Sequence, residues 1–211
     1  MAEEFPESTF VGVDLATFFN AVDPDDVPIN CSFQQASILH LPFEDETFDF
    51  VIQRFLGMAY SPSDWETALK ELIRVLKPGG WIELAEGNFI MQRPPACYQR
   101  FYNSLAAVCL SRGVDISLLH AVPMRLAETG VIEDITIDYL SIPTGWHGRI
   151  GDICLASFGA AMRALRPAIA PTMGLDNEGY EAMCQEVLNG FREKKTWFKA
   201  PYGFGMKRVE G

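Results

Sequence analysis

Glycine is missing from the first eleven residues of the chain, and several other absences narrow what the protein can be. Phe10-Val11-Gly12-Val13-Asp14-Leu15 has the character of a short buried strand ending on an acid. Nucleotide-type α/β folds place such a strand second, after a strand, a glycine-rich turn and a helix. That fingerprint sets about 20 residues between the glycines and the acid, whereas thirteen residues precede Asp14. Basic charge is also scarce. Lys and Arg number 17 against 28 Asp and Glu, the net charge is -11, and the only tight basic run is Arg192-Glu193-Lys194-Lys195. A phosphate-backbone partner, DNA or RNA, is therefore not expected. No run approaches the roughly 18 apolar residues of a membrane span, and the N-terminal residues are acidic, unlike a secretory signal. The expectation is no membrane and a cytoplasmic location, with the nucleus as the other compartment. The five cysteines, at 31, 97, 109, 154 and 184, include no C-x-x-C pair, which argues against a disulfide framework or a zinc site and for reduced core thiols. Three scattered histidines without H-E-x-x-H exclude the common metal arrangements, and no G-x-S-x-G turn exists for a serine nucleophile.

What is present reads as an α/β protein of one domain, residues 1–211. With 48% hydrophobic and 21% charged residues the chain can bury a sizeable core. After the first strand, Ala16 to Val22 suits a short helix or turn, and Asp23 to Pro28 breaks it. Strands are expected at Ile29 to Ala36, Phe48 to Ile52, Trp81 to Glu86, Ile132 to Ile142 and Thr196 to Met206. Ser63 is positioned to cap a helix in which Trp65, Ala68, Leu69, Leu72, Ile73 and Leu76 keep a 3.6-residue period, and Lys77-Pro78-Gly79-Gly80 stops it. Further helices are expected at Tyr98 to Ser111, Leu118 to Thr129, Asp152 to Leu165 and Glu178 to Lys194. The alternation implies a mostly parallel sheet between helical layers.

Three segments carry a resemblance. Val11-Gly12-Val13-Asp14, then Leu41 to Val51, then Glu71-Leu72-Ile73-Arg74-Val75-Leu76-Lys77-Pro78-Gly79-Gly80-Trp81-Ile82-Glu83-Leu84 resemble consecutive motifs of class I S-adenosylmethionine (SAM) dependent methyltransferases. Gln53-Arg54-Phe55, Ile142 to Trp146 and Tyr202 to Lys207 resemble in particular the fungal enzymes of secondary metabolism and its regulation. The resemblance implies a Rossmann-like fold lacking its first strand and glycine-rich turn, with residues 1–90 as a truncated core and 91–211 as a helical lid and substrate region. It implies cofactor positions at Asp14 and Leu15 for the ribose, at Ser37 and Ile38 for adenine, and at Gln53. Asp14 suits the ribose hydroxyls, but Ser37 stands where the family carries an acid. In the resembled fold the missing strand lies between the strand ending at Asp14 and the strand Phe48 to Ile52. Three remedies are open: direct pairing of those two strands, a homodimer by strand exchange or pairing, or a longer parent protein.

For catalysis His147, in a glycine-rich loop, is the first general-base candidate, since histidine titrates near neutral pH. His40 and His120 are weaker candidates. Glu86 ends the fourth strand, where it either faces a substrate or caps a turn. Arg54 either clamps an anion or forms a structural ion pair. Phe55, Asn88, Tyr98, Tyr102 and Trp146 are the expected substrate-pocket residues. The favoured function is a small-molecule enzyme of methyltransferase type that works without a cofactor, for example a cyclase, because both the glycine turn and the adenine acid are missing. The alternatives are an active SAM-dependent methyltransferase with a rebuilt or dimer-shared pocket, and a non-catalytic regulatory module.

Overall fold

A computed structural model of the chain describes residues 1–87 and 89–209. It divides the strands into two hydrogen-bonded sets. Strand β1 (Phe10–Asp14) pairs in parallel with β2 (Cys31–Gln35), from Phe10 opposite Cys31 to Asp14 opposite Gln35. The crossover between them holds one-turn 3-10 helices at Phe18–Ala21 and Pro24–Asp26, the second capped by the Asp23 carboxylate accepting from the Asp25 amide. The Asn30 side-chain amide donates to the carbonyls of Ala2, Phe5 and Ser8 and so pins the N-terminal turn to the start of β2.

The second set is a five-stranded sheet in the order β3-β4-β7-β5, with β6 on the other edge of β7. Its strands are β3 (Phe48–Arg54), β4 (Leu76–Ala85), β5 (Met91–Gln92), β6 (Ile132–Pro143) and β7 (Trp197–Lys207). Only β3 and β4 run parallel within it; β7 is antiparallel to β4, β5 and β6. The sheet is therefore mixed, not mostly parallel as the β/α alternation suggested. The reason is the connection: the chain leaves β6 at Pro143 and enters β7 at the facing Trp197 after a pair of helices, α4 (Arg149–Met173) and α5 (Asn177–Lys194), which returns it to the same end of the sheet.

Helix α1 (Pro62–Val75) starts two residues earlier than Ser63 would place it, because Ser61 is the cap. Ser61 and Asp64 exchange side-chain and backbone hydrogen bonds in a capping box, with Pro62 at the first helical position. Trp65, Ala68, Leu69, Leu72 and Val75 form its buried face. Lys77-Pro78-Gly79-Gly80 is not a separate loop; it is a bulge inside β4, since Phe48 faces Leu76 and Phe50 already faces Trp81. The Lys207 ammonium donates to the Ile73 and Leu76 carbonyls at 2.9 and 2.7 Å, satisfying the end of α1.

Helix α2 (Ala96–Leu110) is close to its expected place. The expected helix at Leu118 to Thr129 is instead a 3-10 segment, Ile116–Met124, with Pro123 inside, followed by the short α3 (Arg125–Glu128). Helix α4 runs past Leu165 through Pro167 and Pro171. By length and composition alone α4 is long and apolar enough to cross a membrane, although Asp152, Arg163 and Arg166 interrupt its apolar residues. Here it packs against α2 and α5 and buries Leu155, Met162 and Ile169. Cys109 and Cys184 are core thiols as expected, but Cys31, Cys97 and Cys154 are partly exposed.

Gly203 and Gly205 lie inside β7. A Cβ on Gly205 would sit 2.5 Å from the Ile132 methyl and 2.9 Å from the Glu133 carbonyl, at the bulge where β6 shifts register. Gly205→Ala is therefore expected to lower stability by about 2–3 kcal/mol, the cost of overpacking a fixed backbone. Denaturant unfolding measures this, and an unchanged midpoint would show that β6 yields freely.

The two sets of strands are not hydrogen-bonded to one another: neither β1 nor β2 pairs with β3. Direct closure, one of the three expected remedies, does not occur. Phe50, Ile52 and Trp81 share one face of β3 and β4 and are 44%, 38% and 37% exposed. Parallel strands are normally covered on both faces.

Candidate functional site

The four N-terminal cofactor candidates sit together at the carboxyl end of the β1–β2 pair. Asp14 accepts a hydrogen bond from the Ala16 amide at 2.8 Å, and the Leu15 carbonyl accepts from the Gln35 side chain at 3.0 Å. The Ser37 hydroxyl accepts from the Leu39 amide, and its carbonyl accepts from the His40 amide, so Ser37 closes a tight turn. Ile38 packs on the core. Gly12 is the one glycine beside Asp14, and it is a packing glycine: a Cβ there would lie 2.6 Å from the Phe33 ring. The described residues thus offer SAM a ribose carboxylate but no backbone cradle next to it, so by themselves they do not fit the cofactor.

Gln53, the fifth candidate, lies across the break on β3. It is 3% exposed, accepts from the Tyr60 hydroxyl at 3.3 Å, and its buried amide nitrogen has no hydrogen-bond partner among the described residues. Glu86, 2% exposed, follows β4. Its carboxylate accepts from the Leu56 and Gly57 amides at 3.0 and 3.1 Å, and its own amide donates to Pro201. Burial pushes this carboxyl up to about 7, against the opposing pull of the backbone amides. The same burial, together with the nearby Glu86 charge, raises the Tyr60 phenol. Of the two roles open to Glu86 in the sequence, the structure shows turn capping: it holds the backbone that leaves β3. Arg54 is exposed beside Ile52, and Phe55 is 68% exposed with a left-handed backbone, φ 57°. Asn88 lies outside the described residues.

Tyr98 belongs to the helical core. It is buried against Phe101, Phe158 and Phe191 and donates to the Phe89 carbonyl at 2.7 Å. Tyr102 stacks obliquely beside it, 6.3 Å away between ring centres, and is half-buried.

His147 and Trp146 are brought together elsewhere, in a cavity of about 270 Å³ where β5, the end of β6, the entry to α4 and the start of β7 converge. Arg93, Ser141, Pro143 and Trp197 complete its lining. Arg93 and Trp197 were not legible from sequence as site residues, because they meet only through the pairing of β5 with β7, where Gln92 faces Trp197 across more than a hundred residues of chain. The cavity is bolted by fully buried Thr196. Its hydroxyl donates to the Arg93 carbonyl at 2.8 Å, and its carbonyl accepts from the Trp146 indole at 2.6 Å and the Thr144 amide at 2.9 Å.

A parallel β1–β2 pair beside a mixed β3-β4-β7 sheet, with β6 on the far edge of β7 and helices flanking it, defines a class: an α/β fold of Rossmann-like methyltransferase type. Comparison with known proteins agrees. Residues 1–80 match the methyltransferase-domain family. Over 150 residues the chain is 31% identical to N-methyltransferase sirN of Leptosphaeria maculans, covering 66% of this chain and 51% of that protein. It is 30% identical over 109 residues to the secondary metabolism regulator laeA of Aspergillus niger, covering 50% of this chain and 26% of that protein. Among solved structures it is similar to YcgJ of Bacillus subtilis, with a TM-score of 0.54, 19% identity and coverage of 99% of this chain and 87% of that one. It is also similar to the [4+2]-cyclase SpnF, with a TM-score of 0.52, 15% identity and coverage of 96% and 68%. Residues 1–80 thus match a methyltransferase domain, and the chain as a whole has the fold of solved methyltransferase-type structures. It spans about half or less of the length of these curated relatives.

Proposed function

We propose that this chain is a methyltransferase-fold enzyme that acts on a small metabolite at the cavity of Trp146 and His147 and does not by itself carry out ordinary methyl transfer. The observation that carries the reading is that the β1–β2 pair is not hydrogen-bonded to β3, and that among the described residues the one glycine beside Asp14, Gly12, is filled by the Phe33 ring and forms no cradle. A carboxylate alone anchors a ribose and does not hold a sulfonium in line with an acceptor, and positioning is what methyl transfer requires. The chemistry open to the remaining residues is proton transfer. His147, in a loop at the cavity wall, can take and return one proton during an intramolecular ring closure whose product is an isomer of its substrate, so no oxidant or co-substrate is needed. Such chemistry has a precedent on this fold in the neighbour described as a cyclase, a fold-level analogy only.

The second reading is SAM-dependent methyl transfer in a homodimer. The edges of β1 and β3 that pair with no described strand favour it, since contact with a second copy would cover the exposed backbone there. Calorimetric titration with SAM, with the mass in solution measured on the same sample, separates the two. A folded monomer with no detectable SAM binding is expected. Micromolar binding by a dimer, lost in Asp14→Ala, would overturn the first reading and establish the second.

A further inference from the structure

The cavity at His147 differs from the rest of the protein in charge. The chain carries 28 acidic and 17 basic residues, yet the lining contains the Arg93 guanidinium, His147 and no carboxylate. Arg149 follows His147 by two residues, and Lys195 and Lys199 flank Trp197, while Asp138, Asp152 and Glu193 are the nearest acids along these segments. The walls are aromatic: Trp146 and Trp197 line the space, the Arg93 guanidinium lies 5.8 Å from the Trp146 ring centre, and the His147 ring meets Trp146 edge-on at 5.6 Å.

The backbone here is held under strain. Of the six non-glycine residues with positive φ among the described residues, three are Arg93 at 53°, His147 at 68° and Lys195 at 50°. Lys195 ends α5 in the usual left-handed manner. Arg93 and His147 have no such role, and left-handed non-glycine residues that persist are held by their surroundings and gather at ligand clamps. The clamp is visible. Arg93 donates to the Lys195 carbonyl at 2.6 Å, and the Thr196 bonds fix the three segments to one another. The Arg93 guanidinium and the Trp146 indole are thus held by hydrogen bonds before any ligand arrives, which reduces the entropic cost of binding.

We propose that this cavity binds a planar aromatic carboxylate, with its ring against the indole walls and its carboxylate on the Arg93 guanidinium. The guanidinium fork matches a carboxylate in two parallel hydrogen bonds, and a cation beside an aromatic face adds to the attraction for a flat anion. The inference rests on the placement of the substrate at this cavity and names the chemical class of that substrate.

Calorimetric titration of the full chain with cinnamate, cinnamamide and cyclohexanecarboxylate tests it in the absence of SAM. Cinnamate is expected to bind saturably, with the neutral amide and the non-planar anion each about tenfold weaker or worse, the loss of one charge-assisted or stacking contact. Arg93→Gln should weaken cinnamate about tenfold, and Arg93→Lys, which keeps the charge and loses the fork, should fall between. Equal affinity for cinnamate and its amide, no heat from any probe on protein whose melting is unchanged, or an Arg93→Gln variant with wild-type affinity would each overturn the proposal. Because Arg93 also braces Lys195, the Trp197→Ala variant supplies an independent arm: it should lose the preference for the planar anion. The SAM titration above fails or succeeds separately, so loss of the anion site and loss of the cofactor-free reading are distinguishable.

Discussion

Glu86→Gln is expected to abolish most of the pH dependence of stability between pH 4.5 and 7. A carboxyl raised from 4.5 to about 7 in the folded protein binds more protons there than in the unfolded chain. Stability contributed by its neutral form is therefore present at low pH and falls as pH rises through this window, by on the order of 3 kcal/mol at full effect. The two other carboxyls with large shifts, Glu71 and Glu181, are lowered to about 2, so their contributions change below pH 4.5 and leave this window to Glu86. Urea unfolding at pH 5 and pH 8 should show the wild type losing stability at the higher pH and Glu86→Gln losing little. Glu86→Ala should be less stable than wild type at both, by about 2–4 kcal/mol, because the Leu56 and Gly57 amides lose their acceptor and a buried space opens. A wild type equally stable at both pH values would show that the Glu86 site admits water.

Glu71→Ala is expected to release the 41–47 loop and to cost about 3 kcal/mol. Glu71 is mostly buried, 16% exposed in its side chain, and accepts from Arg74 through both oxygens, at 2.8 and 2.9 Å, and from the Leu41 amide at 2.8 Å. Arg74 in turn donates to the carbonyls of Leu41 and Phe43 and to the Asp45 carboxylate. Removing Glu71 leaves a buried amide without its acceptor and the guanidinium without its main partner. The Arg74 hydrogen bonds hold the Glu71 carboxyl down at about 2. Stability from this pair is thus full above pH 4.5 and is lost as pH falls toward 2. Hydrogen exchange should show faster exchange at Leu41 with the α1 core unchanged, while Glu71→Gln keeps the Leu41 bond and falls between. Protection at Leu41 that survives Glu71→Ala would remove Glu71 from this role.

These two residues show different degrees of legibility. Glu71 and Arg74 stand three apart inside a recognisable helix, so their pairing follows from helical spacing, and their motif marked the family. The loop they fasten lies about thirty residues upstream, and no local pattern announced it. Glu86 was visible as a strand-end acid with two possible roles, and only the position of the Leu56–Gly57 amides chose between them. Asn30 carried no signal at all, because its three acceptors are backbone carbonyls that any sequence would supply.

By itself the sequence determined the α/β class, the resemblance to methyltransferases and the amphipathic face of α1, since each is written in local spacing or composition. Tertiary structure alone decided that β7 runs against its neighbours and that β1 and β3 stay apart. It also decided that Arg93 and Trp197 meet His147 around one cavity. Hydrogen-bond pairing between strands and convergence of distant chain ends depend on how loops close in space. Hydrophobic period and turn chemistry constrain those closures without specifying them.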